Sequence, residues 1–385
     1  MAQELTRGAS WSPDGEADTA SGEPAIRAPW NPLVIRGTPM QPSLLLMSKL
    51  VVLCFILERQ FSNLPFHLVP FVDFLRHLGT PSQFHHGLQV LFGLAAISLF
   101  FNRWVRAAAI VAGGVVLLGI ASSMPFYENN RLYTGLILVF AGLNGPEEEP
   151  WLLRFQVVLL YFAAALNKVL LVDWRAGYFM DAWLRRGGTQ AAWAQLAGHF
   201  PPRVLATFVS WAAIVTEFAL VVGFAVRRLW PFAIWLGIAY HTSLALLLNR
   251  TFGMFWFAAP ASYLAFVRWP DKPATVRFAA GNRLWSLLRR IDFDGACDWQ
   301  PTRQGGLEIT TDSGTYRSWQ AAGRVLLRNP VTYLTFAVVA AEPRVAPRIS
   351  AAVVMLVLLA VAIDAVCEAF RRRMDTSQGP SVPAV

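Results

Sequence analysis

Charge is what this sequence has least of. Only 15% of its 385 residues are charged and 55% are hydrophobic, whereas a soluble chain needs about a quarter of its residues charged to cover its surface. Soluble globular classes are thereby excluded. Lysine is nearly missing as well: Lys49, Lys168 and Lys272 stand beside 30 arginines. The resulting net charge of +9 comes without a basic stripe interleaved with aromatics, so nucleic acid is not an expected partner. In a membrane chain such a balance reflects cytoplasmic loops and anionic headgroups.

Cysteine is equally scarce. Cys54 and Cys367 sit in apolar runs and Cys297 stands alone in a polar segment, so neither a disulfide framework nor a metal-ligand spacing can be read. Residues 1–40 lack a basic start followed by an apolar stretch and are rich in Gly, Ala, Ser, Pro and acids. They read as a disordered cytoplasmic leader rather than a cleavable signal.

What is present is hydrophobic length. Apolar runs fall at about 43–57, 84–101, 105–124, 131–143, 151–171, 204–226, 230–249, 252–267, 331–341 and 349–370. Several reach the 18 or so residues needed to cross a hydrocarbon layer of about 30 Å. The fold expected is all-α, a polytopic transmembrane bundle of roughly eight to ten hydrophobic segments, multi-pass in the cell membrane, with the lipid bilayer as its first partner. Its divisions are the leader 1–40, a membrane domain 41–270, a small polar cytoplasmic unit 271–330, a membrane hairpin 331–370 and a tail 371–385. Arg103, Arg106, Arg227, Arg228 and Arg371–Arg373 put both termini in the cytoplasm by the positive-inside rule. Within the polar unit, Asp312-Ser313-Gly314 predicts a hairpin turn.

Lys168 is the residue that calls for chemistry. It ends an apolar run beginning at Leu159, where an ionisable group costs on the order of 2–3 kcal/mol at the helix centre and less toward the interface. Unlike arginine, a partly desolvated lysine can give up its proton and act as a base or nucleophile. The alternative is a lysine whose ammonium snorkels to the headgroups. Glu217 and His241 also lie mid-span. Adjacent antiparallel helices bring them to similar depth, where they form either a proton relay or a structural clamp; direct contact between Glu217 and Lys168 is not implied. His67, His77, His85 and His86 cluster without the helical i,i+4 spacing of a ligand pair. They read as part of an outward loop rather than a metal site.

Gln156, Tyr161, Phe162, Lys168, Asp173-Trp174 and Gly177-Tyr178 before Met180 together resemble a signature of the HTTM domain family, the membrane domain shared with vitamin K-dependent gamma-carboxylases. His241, Phe252-Gly253-Met254-Phe255, Ala258-Ala259-Pro260 and Phe266, and upstream Glu128–Tyr133, are similar to further family features. The likeness runs over about residues 40–270. It implies that Lys168 is the base that deprotonates a vitamin K-type hydroquinone, the quinol being the expected cofactor. It also implies that Tyr161, Trp174, Gly177, Tyr178, Gly253 and Met254 line the cofactor site. A second role implied by some bacterial HTTM-like proteins is a non-catalytic factor in maturation, export or immunity of a secreted peptide or protein. A small-molecule permease is a third class, for which the sequence shows no inverted repeats. Finally, Asp294-Gly295-Ala296-Cys297 with Gln300 resembles the start of a DCC thiol-oxidoreductase domain in which the second cysteine is replaced, which removes dithiol exchange.

Overall fold

The computed structural model describes residues 31–65, 69–77, 79–186, 190–248, 255–303 and 305–341. The first four helices are α1 (Pro42–Leu57), α2 (Pro81–Phe100), α3 (Val105–Ser122) and α4 (Asn129–Leu143). Next come α5 (Trp151–Leu170), α6 (Val172–Arg175), α7 (Tyr178–Arg186) and α8 (Gln190–Ala197). Then follow α9 (Val204–Ala225), α10 (Trp230–Leu248) and α11 (Phe255–Ser262). By length and composition α3, α5 and α9 can each cross a membrane, while α1 and the stretch 257–266 are shorter apolar helices. The hydrophobic run 349–370 and the tail lie outside the described residues.

Local chemistry sets the boundaries. Helix α2 starts three residues before its hydrophobic run because Thr80 accepts from the Gln83 amide and Gln83 Oε1 accepts from the Thr80 amide, a reciprocal capping box. Helices α3 and α4 pack backbone to backbone. A Cβ on Gly113 would lie 2.5 Å from the Gly135 carbonyl, and one on Gly142 would collide with the Arg106 carbonyl. Close approach over small residues is how apolar helices associate where lipid offers no hydrophobic drive. Arg106 then donates to the Gly142 and Leu143 carbonyls at the end of α4.

The all-α expectation needs correction. The chain is mostly helical, but its polar unit carries a mixed four-stranded sheet: β1 (Ala274–Ala279), β2 (Cys297–Thr302), β3 (Glu308–Thr311) and β4 (Gly314–Arg317), in the order β2-β1-β3-β4. Strands β1 and β2 run parallel, joined by α12 (Arg283–Arg290); β3 is antiparallel to β1, and β4 to β3. In β1, Ala274, Val276 and Phe278 alternate into the core, a period-2 signal only six residues long and easily missed beside the apolar helices. The hairpin turn at 312–313 is present, with Gly314 at φ +131°. Two further helices, α13 (Ser318–Arg328) and α14 (Pro330–Ala341), lead from the sheet back to α1, against which α14 packs.

The leader is not disordered throughout. Val34, Ile35 and Met40 are buried in the described part of it, and two buried charges hold its backbone. Lys49 of α1, 0% exposed, donates to the carbonyls of Pro32 and Val34 and to Asn102 Oδ1, all at 2.8 Å. From the other side, Asp294 Oδ1 accepts from the amides of Ile35 (2.9 Å) and Arg36 (3.1 Å), and Oδ2 faces Arg36 Nε at 3.3 Å. Burial pushes the Asp294 carboxyl up, against the opposing pull of those two amides and the guanidinium. The strap 31–36 thus joins the polar unit to the helices, and Arg36 also donates to the Pro270 carbonyl.

Candidate functional site

Helices α5 and α9 pack along one another. On α5, Leu153, Val157, Tyr161 and Ala165 are the buried positions, a four-residue step that marks the inward face. Lys168, two helical turns beyond Tyr161, follows on the same side. On α9, Ser210, Ile214, Glu217, Leu220 and Phe224 are buried in the same rhythm. Two inward stripes therefore meet, each carrying one charge.

The charges pair. Lys168 Nζ lies 2.7 Å from Glu217 Oε1 and 2.8 Å from Oε2, with the lysine side chain 14% and the glutamate 5% exposed. Tyr240 of α10 donates to Glu217 Oε1 at 2.8 Å. The Trp174 indole, stacked on Phe179, has its ring centre 4.9 Å from the ammonium. The contact between Lys168 and Glu217, not implied by the sequence, is the centre of the site.

His241 corrects the expectation that it pairs with Glu217. Its Nε2 is hydrogen-bonded to the Tyr161 hydroxyl at 2.7 Å, and that hydroxyl also bonds Tyr263. Gly237 makes this possible, because a Cβ there would sit 2.5 Å from the Tyr263 oxygen. Tyr133 donates to Ser262 Oγ at 2.6 Å nearby. Two polar groups thus stand side by side, Lys168–Glu217–Tyr240 and His241–Tyr161–Tyr263, with the Tyr240 and His241 rings 5.4 Å apart. Sequence reasoning found Lys168, Glu217, His241 and Tyr161 but missed Tyr240 and Tyr263. A tyrosine beside an intramembrane histidine was the available signal for Tyr240.

The other expected cofactor residues separate. Trp174 faces Lys168. Gly177, at φ +76°, instead lets the α6–α7 turn abut α9: a Cβ would lie 2.5 Å from the Thr207 amide nitrogen, so its role is close packing. Tyr178 is half-exposed under the Arg203 guanidinium. Gly253 and Met254 lie outside the described residues. So does His67, whereas His86 Nδ1 bonds the Ser82 carbonyl. Among the described residues no group of three His, Cys, Asp or Glu is placed to hold a metal.

Cys297 cannot do the chemistry its surroundings resemble. A reactive thiol in a βαβ unit belongs at the helix amino terminus, where backbone N–H groups favour the thiolate. Here that terminus is capped by Asn282, which accepts from the amides of Leu284 and Trp285. Cys297 instead opens β2, buried, with its thiol pushed up to about 12 by desolvation and by Asp292.

With this geometry in place, comparison with known proteins is informative. Residues 145–269 match the HTTM domain. No curated protein and no solved structure matches the chain. The matched segment begins just before α5, runs past the end of α11 and holds every member of both polar groups, while Tyr133 lies outside it. The HTTM domain occurs in membrane proteins related to vitamin K-dependent carboxylases. Together with the three apolar helices, it makes this a membrane protein.

Proposed function

We propose that the chain is a polytopic membrane enzyme in which Lys168 serves as the base for a hydroquinone of the vitamin K type. The observation that carries this reading is the Lys168–Glu217 pair beside Trp174. An ammonium held by a carboxylate differs from one held by neutral dipoles, because its partner can take the proton. Transfer from Nζ to Oε1 across 2.7 Å leaves a neutral amine and a neutral acid, a pair that suits a low-dielectric site better than two separated charges.

The residues present fit such a ligand. Lys168 keeps partial exposure while its partner is covered, so the amine is the approachable end. Leu170, Leu171 and Val172 around it are exposed and apolar, giving an entrance from lipid. Trp174, buried with its ring stacked on Phe179, positions the Lys168 ammonium, and Lys168 is the group that would meet the ligand's ring hydroxyl. When bound, the hydroquinone supplies an acidic phenolic O–H and reducing electrons. The protein's part is to accept a proton at Lys168 Nζ, with Tyr240 fixing Glu217 and His241–Tyr161–Tyr263 bracing the helices behind it. The further substrate is a secreted peptide or protein, or a small molecule approached from the membrane.

The test is a single substitution. In proteoliposomes, vitamin K hydroquinone is expected to be consumed by the wild-type chain and not by Lys168→Arg, which keeps the charge but cannot become a neutral amine. Full consumption by Lys168→Arg rules out this residue as base. Consumption no faster than in empty vesicles for the wild type removes the quinol altogether and leaves the maturation-factor or permease roles.

A further inference from the structure

Outside the membrane helices, one surface of the polar unit is unusual. Helix α12 buries Leu288 in the sheet's core but exposes Leu284 (55%) and Leu287 (54%), and Phe293 just beyond it is 46% exposed. Arg283, Arg289 and Arg290 are exposed around these apolar groups. The nearby acid, Asp292, is turned inward and spent, accepting from the Ala296 and Cys297 amides (2.9 Å each) and from Trp299 Nε1 (2.8 Å). The patch is therefore apolar with a positive rim whose arginines form no ion pair among the described residues.

Its position in the molecule identifies what covers it. The carbonyl of Ile291, at the end of α12, accepts from Asn329 Nδ2 at 3.3 Å, and Asn329 Oδ1 accepts from the Val331 amide in the first turn of the apolar helix α14. Asp294, next to Phe293, is docked on the strap that Lys49 of α1 holds from below. Arg36 of that strap reaches Pro270, just beyond the last turn of the HTTM segment. The carboxyl end of α12 is thus bracketed by the points where the chain leaves the apolar helices and rejoins them.

From this juxtaposition we propose that α12 and Phe293 form an interfacial anchor that lies on the same bilayer the helices cross, with Leu284, Leu287 and Phe293 in the acyl boundary and Arg283, Arg289 and Arg290 on anionic headgroups. Short amphipathic basic helices bind membrane surfaces in this way, by buried apolar area together with attraction to anionic lipid. The anchor fixes the polar unit against the membrane independently of any chemistry at Lys168.

Hydrogen exchange on the full chain, reconstituted one copy per nanodisc, tests this. Amides of 283–293 are expected to exchange about threefold or more slowly in discs of phosphatidylcholine with phosphatidylglycerol than in phosphatidylcholine alone, the difference shrinking at high salt. Peptides from β1 and β2 serve as the control for folding and are expected to be unchanged. The triple substitution R283Q/R289Q/R290Q, at exposed positions, is expected to give the neutral-lipid rate in both discs. Equal exchange in the two lipids overturns the proposal, as does protection that survives the triple substitution. Protection appearing only when two copies share a disc also overturns it, in favour of a second copy of this chain as the occupant.

Discussion

The membrane part holds two lysines away from water, and they are held in opposite ways. Lys49 is the more buried, yet its three partners are neutral oxygens of Pro32, Val34 and Asn102. None of them can take a proton, so Lys49 works as a donor that gathers carbonyl groups. Lys168 is less buried and faces an indole and a carboxylate, the latter held in turn by a phenol. Its proton has somewhere to go. Burial alone singles out Lys49; the proposed function turns instead on whether a lysine's partner can change protonation state.

If that distinction is right, the two lysines respond differently to removal. Lys168→Met strands Glu217, and breaking a buried pair by deleting one member costs about 3–5 kcal/mol. Adding Glu217→Gln removes the stranded charge, and the double variant is expected to recover most of that loss while remaining inactive. Melting in detergent, read as a double-mutant cycle, measures the coupling. Simple addition of the two single effects would mean that the pair is not the unit described above.

Lys49→Met comes next. It deletes three charge-assisted hydrogen bonds, each worth about 1.5–3 kcal/mol, but also relieves the burial of a charge, for a net loss of about 2–4 kcal/mol. No single second substitution rescues it, because two of the three orphaned groups are backbone carbonyls. Limited proteolysis is expected to cut the strap 31–40 in this variant and to spare it in Lys168→Met. Cleavage in both variants would erase the contrast between the two lysines.

The sequence made one half of this comparison visible. Hydrophobic length located the helices closely: the runs 105–124, 151–171 and 204–226 became Val105–Ser122, Trp151–Leu170 and Val204–Ala225. Lys168 stood out by residue type and by its surrounding motif. Lys49 gave no such sign, because two of its three partners are main-chain oxygens from a strap that composition marked as disordered, and a carbonyl carries no residue identity. The Lys168–Glu217 contact depended on the relative rotation of α5 and α9, which an apolar pattern constrains only loosely. His241 was assigned to Glu217 by depth alone, when the partner at that depth was Tyr161. The sheet was hidden because its strands are four to six residues long, too short for alternation to outweigh the apolar helices around them.

Tyr240→Phe gives the smallest effect and the sharpest view of Glu217. The substitution removes one hydroxyl that donates to Oε1 and leaves the ring, with its edge-on packing against His241, in place. Its stability cost is about 1.5–3 kcal/mol, that of one hydrogen bond to a charged acceptor. Turnover of the hydroquinone is expected to rise together with the Lys168–Glu217 coupling energy, because a carboxylate without that donor depends wholly on Lys168 and takes its proton more readily. A carboxylate that takes the proton more readily leaves more neutral amine at Lys168, so coupling and rate should move in the same direction. Unchanged turnover together with unchanged coupling would place Tyr240 outside the site, and Glu217 would then be tuned by Lys168 and burial alone.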